Sequence, residues 1–319
     1  MGIRLLNRFL KESCKTNVIH FNQLENKKIA IDIYNYIYRF LGNNRLLEEL
    51  DSLCCSFHRY KIRPLFVFDG KNREEKKEEL EKRRIQRDVA NKEYEKIIAK
   101  FEKSPKSLKL KKKLTILNRE RVKLTKWDIV DVKKYLDLSG MKYIDANGEA
   151  EELCTELVNK NKVFACMSED TDLFAFGCKR IIRSVHFKKE TFVMYEMEHF
   201  LNYLNLDIDS FRMVCTLSYN DYTNTNARKH FIYFINLLNL YKQLDNNCSC
   251  DGFVKWLVNN NYILNDEEAN YYSVKDIYNL SDKNLMKNMK FISIQNGNYN
   301  KRKINELFID RKMYLNGSK

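Results

Sequence analysis

Carboxylates stand at five places in this chain where a short apolar run gives way to polar residues: Asp32, Asp69, Glu149 with Glu151, Asp170 with Asp172, and Asp221. Each has an ordinary explanation taken alone. An aspartate at a strand-to-helix junction caps the helix that follows, and acids in a first helical turn suit its positive end. Asp170 and Asp172, within Ser168-Glu169-Asp170-Thr171-Asp172, read equally as one more capping turn. Capping does not ask for all of them together. Gathered at one end of a sheet, they would repel one another, raising their pKa values or destabilising the fold unless cations compensate. Two divalent ions supply that charge. Mg²⁺, with oxygen ligands and retained waters, suits the set better than zinc because no histidine belongs to it, and Mn²⁺ can substitute. His58, His186, His199 and the other two histidines are scattered and read as ordinary residues.

The elements that must position these acids read as α/β. Lys28 to Asp32 (KIAID), Leu65 to Asp69 (LFVFD) and Val163 to Ser168 (VFACMS) are short apolar runs followed by polar residues and a helical pattern, as buried parallel strands are. Their acids fall at the carboxyl ends, where open parallel sheets form a crevice bordered by helix ends. Arg180 to Val185 and Thr191 to Tyr195 look like two further strands, a hairpin at the sheet edge. From Phe200 onward the pattern is mainly helical, with Phe231 to Ile235 and Leu237-Leu238 in a strongly apolar helix, and there is no internal repeat. The expectation is a mostly parallel central sheet flanked by helices, with an inserted basic helical hairpin and a helical C-terminal region.

Charge marks that insertion. The 319 residues carry a formal net charge of +14, and from Lys71 to Lys134 there are 23 Lys and Arg against 12 Asp and Glu, so a net +11 lies in this one segment. Arg73, Lys76, Lys77, Arg83, Arg84 and Arg87 recur at mostly three- and four-residue intervals, which stacks many of them along one side of a helix. Glutamates are interleaved (Glu74, Glu75, Glu78, Glu79, Glu81), so a solvated helix laced with Glu-Lys pairs is the plain alternative. A second helical stretch after Ser104-Pro105 carries Lys109, Lys111, Lys112 and Lys113. Phosphate backbone is the natural partner of a localised basic hairpin.

Other classes are disfavoured. No apolar run is long enough to span a bilayer, Met1-Gly2-Ile3-Arg4 opens no secretory signal, and Leu6 makes a poor myristoylation site, so a soluble intracellular protein is expected. The nine cysteines are scattered, without facing C-x-x-C pairs that would suit a structural zinc.

Taken together, Met1-Gly2-Ile3, Ile29-Ala30-Ile31-Asp32 with Tyr38-Arg39-Phe40-Leu41, Phe66-Val67-Phe68-Asp69-Gly70, Gly148-Glu149-Ala150-Glu151, Glu169-Asp170-Thr171-Asp172 with Phe176-Gly177, and Asn220-Asp221-Tyr222 resemble the flap endonuclease (XPG-type) 5′ nuclease family. Order and approximate spacing agree from residue 1 to about 222. The resemblance implies a PIN-like 5′ nuclease fold: one nuclease domain over 1–319, with an N-terminal nuclease region at 1–95, a helical arch at 71–134, an internal nuclease region at 138–225 and a helical C-terminal region at 226–319. It implies that Asp32, Asp69, Glu149, Glu151, Asp170, Asp172 and Asp221 are metal ligands, with no counterpart for Glu152. Lys76 and Arg83 fall on the catalytic lysine and arginine at the base of the arch, and Tyr38 on a base-stacking tyrosine. Arg73, Lys77 and Arg84 would meet substrate beside them.

The implied activity is hydrolysis of phosphodiester bonds at 5′ flaps, nicks or branched junctions in replication, repair or recombination, with two Mg²⁺ ions about 4 Å apart. The setting would be a nucleus or a viral DNA replication compartment. The chain also departs from the family. The glycine-rich helix-hairpin-helix after the last acid is replaced by Thr223 to His230, without glycine, where Arg228 and Lys229 are candidate substitutes for backbone N–H contacts to duplex phosphate. Ser218-Tyr219 replaces the usual Leu-Gly, and the C-terminus has no convincing glutamine-led, double-aromatic peptide for a sliding clamp. A PIN-type ribonuclease and a non-catalytic DNA-junction-binding protein are the rival readings.

Overall fold

Ile29 and Ile31 point to one side of the run Lys28–Asp32, Ala30 points to the other, and all three are fully buried. Burial on both faces belongs to a strand inside a covered parallel sheet. In the computed structural model of the chain, which describes residues 2–13, 17–70, 76–223, 229–244, 249–280, 283, 285–286 and 297–317, this run is β2. It lies between β3 (Arg63–Phe68) and β5 (Ala165–Met167), parallel to both, with Ala30 opposite Leu65 and Cys166. β4 (Lys142–Asp145) runs parallel beside β3, and β6 (Arg180–His186) parallel beside β5. β7 (Thr191–Glu196) pairs antiparallel with β6, and β1 (Val18–His20) antiparallel with β7.

The order across the sheet is therefore β1-β7-β6-β5-β2-β3-β4. The β6–β7 hairpin forms, but it is not the edge expected from the sequence, because β1 pairs with Thr191 to Val193 and covers it. A three-residue strand with largely accessible side chains leaves no alternation to read. β4 was also invisible in the sequence, being four residues of mixed polarity at the opposite edge.

Helices cover both faces. On one, α2 (Ile33–Gly42), α3 (Leu46–Arg59) and α6 (Lys126–Leu138) share an apolar layer with Ile29, Ile31, Phe66 and Phe68, and α14 (Lys301–Gly317) packs on α6, where Phe308 stacks on Tyr135. On the other, α1 (Leu6–Ser13), α7 (Ala150–Asn159), α9 (Met197–Leu204), α10 (Ile208–Leu217), α11 (Phe231–Leu244), α12 (Cys250–Asn259) and α13 (Asn265–Val274) enclose a core that includes Leu65, Val67 and Phe211. Fully burying one Ile or Phe side chain contributes roughly 1.5–3 kcal/mol, so two such layers can support a polar cleft that opposes folding. The apolar run around Phe231 to Leu238 is α11, with Phe231, Phe234, Ile235, Leu237 and Leu238 buried.

The basic segment folds as a hairpin of α4 (Lys77–Lys103) and α5 (Leu108–Glu120). Only Ala90 and Ile97 of α4 are buried, against Leu117 of α5. The hairpin is fastened to the end of α2, where Asn118 donates to the Gly42 carbonyl (2.8 Å) and Arg119 to Asn43 Oδ1 (3.1 Å). Among the described residues no helix is long and apolar enough to cross a membrane.

Candidate active site

Four adjacent parallel strands end at one crevice. β2 stops at Asp32, Asp69 follows β3, Glu149 and Glu151 follow β4 at the start of α7, and Asp170 and Asp172 follow β5. The chain leaves β2 towards β3 and β4 on one side, while β5 and β6 lie on the other. That reversal opens a crevice at the carboxyl ends. A cleft of about 210 Å³ is lined there by Asp32, Asp69, Glu149, Glu151, Asp170 and Asp221. Asp221 arrives from the segment after α10, and Asp172 is almost completely buried beside the group.

The local bonds exclude the plain capping reading for Asp32 and Glu149, while Asp69 and Asp170 do accept backbone N–H groups, at the start of α7 and in the turn after β5. Asp32 precedes α2 but makes no side-chain cap; its Oδ2 accepts from Asn35 Nδ2 (2.5 Å) and Ser168 Oγ (2.7 Å). Glu149 precedes α7, again without a cap, and Oε2 accepts from the Tyr222 hydroxyl (2.6 Å). Asp69 Oδ1 accepts the Ala150 N–H (2.8 Å), and Asp170 Oδ1 accepts the Asp172 N–H (3.1 Å).

Burial is the first cause that pushes the Asp32 carboxyl up to about 7, followed by the charges of Asp69 and Asp170, while hydrogen bonds from Ser168 and Asn35 oppose it. Burial likewise raises Asp69 against the Ala150 hydrogen bond, and drives Glu151 and Asp172 well above the ordinary carboxylate range with help from neighbouring acids.

Cations from the hairpin enter the same cleft. Lys76, just before α4, has its ammonium 2.9 Å from Glu149 Oε1 and 5.0 Å from the centre of the Tyr222 ring. Arg83 donates to Asp221 Oδ2 (2.6 Å) and to Glu79 Oε1 (3.0 Å). Burial would lower the pKa of both cations, but Glu151, Glu149 and Asp172 around Lys76, and Asp221 and Glu79 around Arg83, hold them above their ordinary values. Tyr38 lines the cleft as well. It also lines a neighbouring recess with Arg87. Lys77 and Arg84 are exposed on α4, with Arg84 3.5 Å from Glu81, and Arg73 lies outside the described residues.

Several neighbours had no role in the sequence reading. Asn35 and Ser168 hold Asp32, Tyr222 holds Glu149, and Tyr34 lines the cleft. Asn35 stands one helical turn from Asp32, which was a usable signal. Gly2 is another: its φ is +80°, and a Cβ there would lie 2.4 Å from Asp170 Oδ1 and 2.7 Å from Asp172 Oδ1. The Ile3 N–H donates to Thr171 Oγ1 (2.7 Å), which fixes this segment against the acids. Glu152, set aside in the sequence, is buried and faces Lys283 at 3.4 Å. The Lys229 ammonium is engaged by Glu267, so in this structure it is not presented to a duplex, and Arg228 lies outside the described residues.

Among the described residues no three acidic, histidine or cysteine side chains stand as a finished metal cage. The donor set nevertheless fits hard divalent cations. It is all oxygen, its charge is under-compensated, and Asp172 Oδ1 is buried without a hydrogen-bond partner among the described residues.

Two family models match the chain, the XPG N-terminal domain over residues 1–90 and the XPG I-region over residues 140–221. A flap endonuclease 1 from Debaryomyces hansenii is 32% identical over 282 residues, covering 82% of this chain and 70% of that protein. The chain belongs to the flap endonuclease/XPG family. Flap endonuclease 1-B of Oryza sativa subsp. indica is 31% identical over 243 residues, which are 70% of this chain and 57% of the rice protein, so the chain spans little more than half of that relative. Among solved structures, the catalytic core of Rad2 in complex with DNA substrate superposes with a TM-score of 0.68 at 22% identity, covering 96% of this chain and 94% of that one. Human GEN1 in complex with Holliday junction DNA gives 0.66 at 16% identity, with coverages of 98% and 74%. These likenesses identify the PIN-like 5′ nuclease fold, and the two matched family regions contain six of the seven acids from Asp32 to Asp172 together with Asp221 at the last matched residue.

Proposed function

We propose that this protein is a metal-dependent, structure-specific DNA nuclease that hydrolyses phosphodiester bonds at 5′ flaps, nicks or branched junctions. One observation carries the reading: acids from four strand ends and cations from the root of a basic hairpin share one cleft. Family membership supports the reaction class, and the DNA complexes of Rad2 and GEN1 support branched DNA as the partner.

Asp32, Asp69, Glu149, Glu151, Asp170, Asp172 and Asp221 would hold two Mg²⁺ ions, for which Mn²⁺ can substitute; when bound, these activate water near neutral pH and neutralise charge on the leaving oxygen. Ser168 and Asn35 keep Asp32 turned to the cleft, and Tyr222 does the same for Glu149. Lys76 and Arg83 exchange their carboxylates for the scissile phosphate and stabilise its added charge in the transition state, where removing one such donor costs roughly a hundredfold or more. Tyr38 holds an unstacked base, an interaction of about 1–3 kcal/mol. The hairpin of α4 and α5 acts as the arch under which a single strand passes, with Lys77, Arg84 and Arg73 contacting phosphates. Such contacts position DNA without reading its bases. The setting is a nucleus or a viral replication compartment.

The test is a cleavage panel in Mg²⁺ with end-labelled 5′ flap, nick, gap, four-way junction and single strand. Cutting of a branched substrate, abolished by chelator, is expected. A folded sample that leaves every DNA intact while cutting RNA, or cutting nothing, overturns the reading.

A further inference from the structure

Tyr34 lines the acidic cleft one helical turn before Tyr38 on α2. Residues four apart share a helix face, with Cβ atoms about 5–6 Å apart, so two phenol rings follow one another along the same wall. The surroundings of the two differ. Tyr38 extends into the recess that also holds Arg83 and Arg87. Tyr34 stands two residues beyond Asp32, at the acidic floor, and its ring meets Phe68 nearly perpendicular, centroids 6.1 Å and planes 81° apart. Phe68 in turn meets Tyr143 at 5.7 Å, so the ring is braced by the end of β3. The Tyr34 ring is only partly buried, and among the described residues its hydroxyl makes no hydrogen bond. An aromatic face is also what can approach DNA beside a row of acids, because stacking on a base needs no cation.

We propose that Tyr34 is a second substrate-contacting residue, forming with Tyr38 a wall for two consecutive unpaired nucleotides. Tyr34 stacks on the base nearer the carboxylates, Tyr38 stacks on the next one, and the Tyr34 hydroxyl donates to the phosphate between them. This rests on the nuclease reading, but it assigns a ligand chemistry to a residue that reading leaves idle.

The experiment uses the 319-residue chain and a 5′-flap substrate carrying 2-aminopurine at one or the other nucleotide beside the cut, bound in an Asp170→Asn background so that nothing is hydrolysed. Quenching at both positions is expected. Tyr34→Leu, which keeps an apolar group on Phe68, should relieve quenching at one position only, and Tyr38→Leu at the other. Tyr34→Phe should retain the stacking signal. In otherwise wild-type protein, Tyr34→Leu should raise KM for the flap by roughly tenfold with little change in kcat. Unchanged quenching and KM in Tyr34→Leu, while wild type cuts the flap, overturn this inference alone, as does a loss of thermal stability with no substrate effect. Wild type that neither binds nor cuts flaps overturns both readings.

Discussion

The Arg83 guanidinium donates to Asp221 Oδ2 at 2.6 Å across 138 residues of sequence, joining the root of the basic hairpin to the acidic cleft. Lys76 does the same at Glu149, at 2.9 Å. Each cation thus neutralises one carboxylate of the cleft, and under the proposed reading a substrate phosphate would take that carboxylate's place as its anionic partner.

Arg83→Ala is therefore expected to slow single-turnover cleavage of a 5′ flap by roughly a hundredfold or more, with a much smaller change in flap affinity. Lys76→Ala should behave alike. Rapid-quench measurements at saturating protein decide it, and an unaltered chemical rate would exclude both from the transition state.

Asp172→Asn separates chemistry from folding. Its carboxyl is buried, pushed well above the ordinary range, and has an oxygen without a partner among the described residues. Neutralising it should abolish cutting yet raise the melting temperature of metal-free protein at neutral pH, because the cost of burying this carboxyl, and of keeping it protonated beside Asp170, is removed. A variant that melts lower and still turns over would remove Asp172 from the site.

The pH dependence of stability follows from Asp32. Its carboxyl titrates at about 7 in the fold against an ordinary 3.8. Between these values the folded state holds a proton that the unfolded chain has released, so stability is full below the lower value and is lost as pH rises through the upper one. Thermal unfolding in chelator should show the melting temperature falling across that window, with Asp69, Glu151 and Asp172, raised by burial and neighbouring acids, adding to the fall in the same direction. Added Mg²⁺ should restore it most at the alkaline end, and a flat profile in chelator would count against the buried cluster.

Gly2→Ala tests the N-terminal segment. At φ +80° any Cβ is strained, and here it would lie 2.4 Å from both Asp170 Oδ1 and Thr171 Oγ1. The substitution should destabilise by more than about 1 kcal/mol and displace Asp170, so cleavage falls even where the protein remains folded by circular dichroism. Full activity in Gly2→Ala would show that the segment yields without disturbing the acids.

Much of the sheet was legible because its central strands are buried on both faces. Lys28–Asp32 reads directly as an apolar run ending in an acid, and the runs at β3, β5, β6 and β7 need only small changes at their ends. β1 and β4 were not legible, since edge strands of three and four residues carry no periodic pattern, and the edge was misplaced as a result. At the site, the acids could be listed from their junctions, and the hairpin from its charge. Their supports could not: Ser168 under Asp32, Tyr222 on Glu149 and Gly2 against Asp170 are contacts between segments far apart in the chain.

By itself, then, the order of residues determined which side chains carry charge, which runs bury themselves and where acids follow strands, because these depend on spacings of two to four residues along a single element. Which acid meets which cation, and that Lys229 is drawn to Glu267, was decided by tertiary packing. The register of one strand against the next and the tilt of a hairpin on α2 are set by the whole core, and no local spacing encodes them.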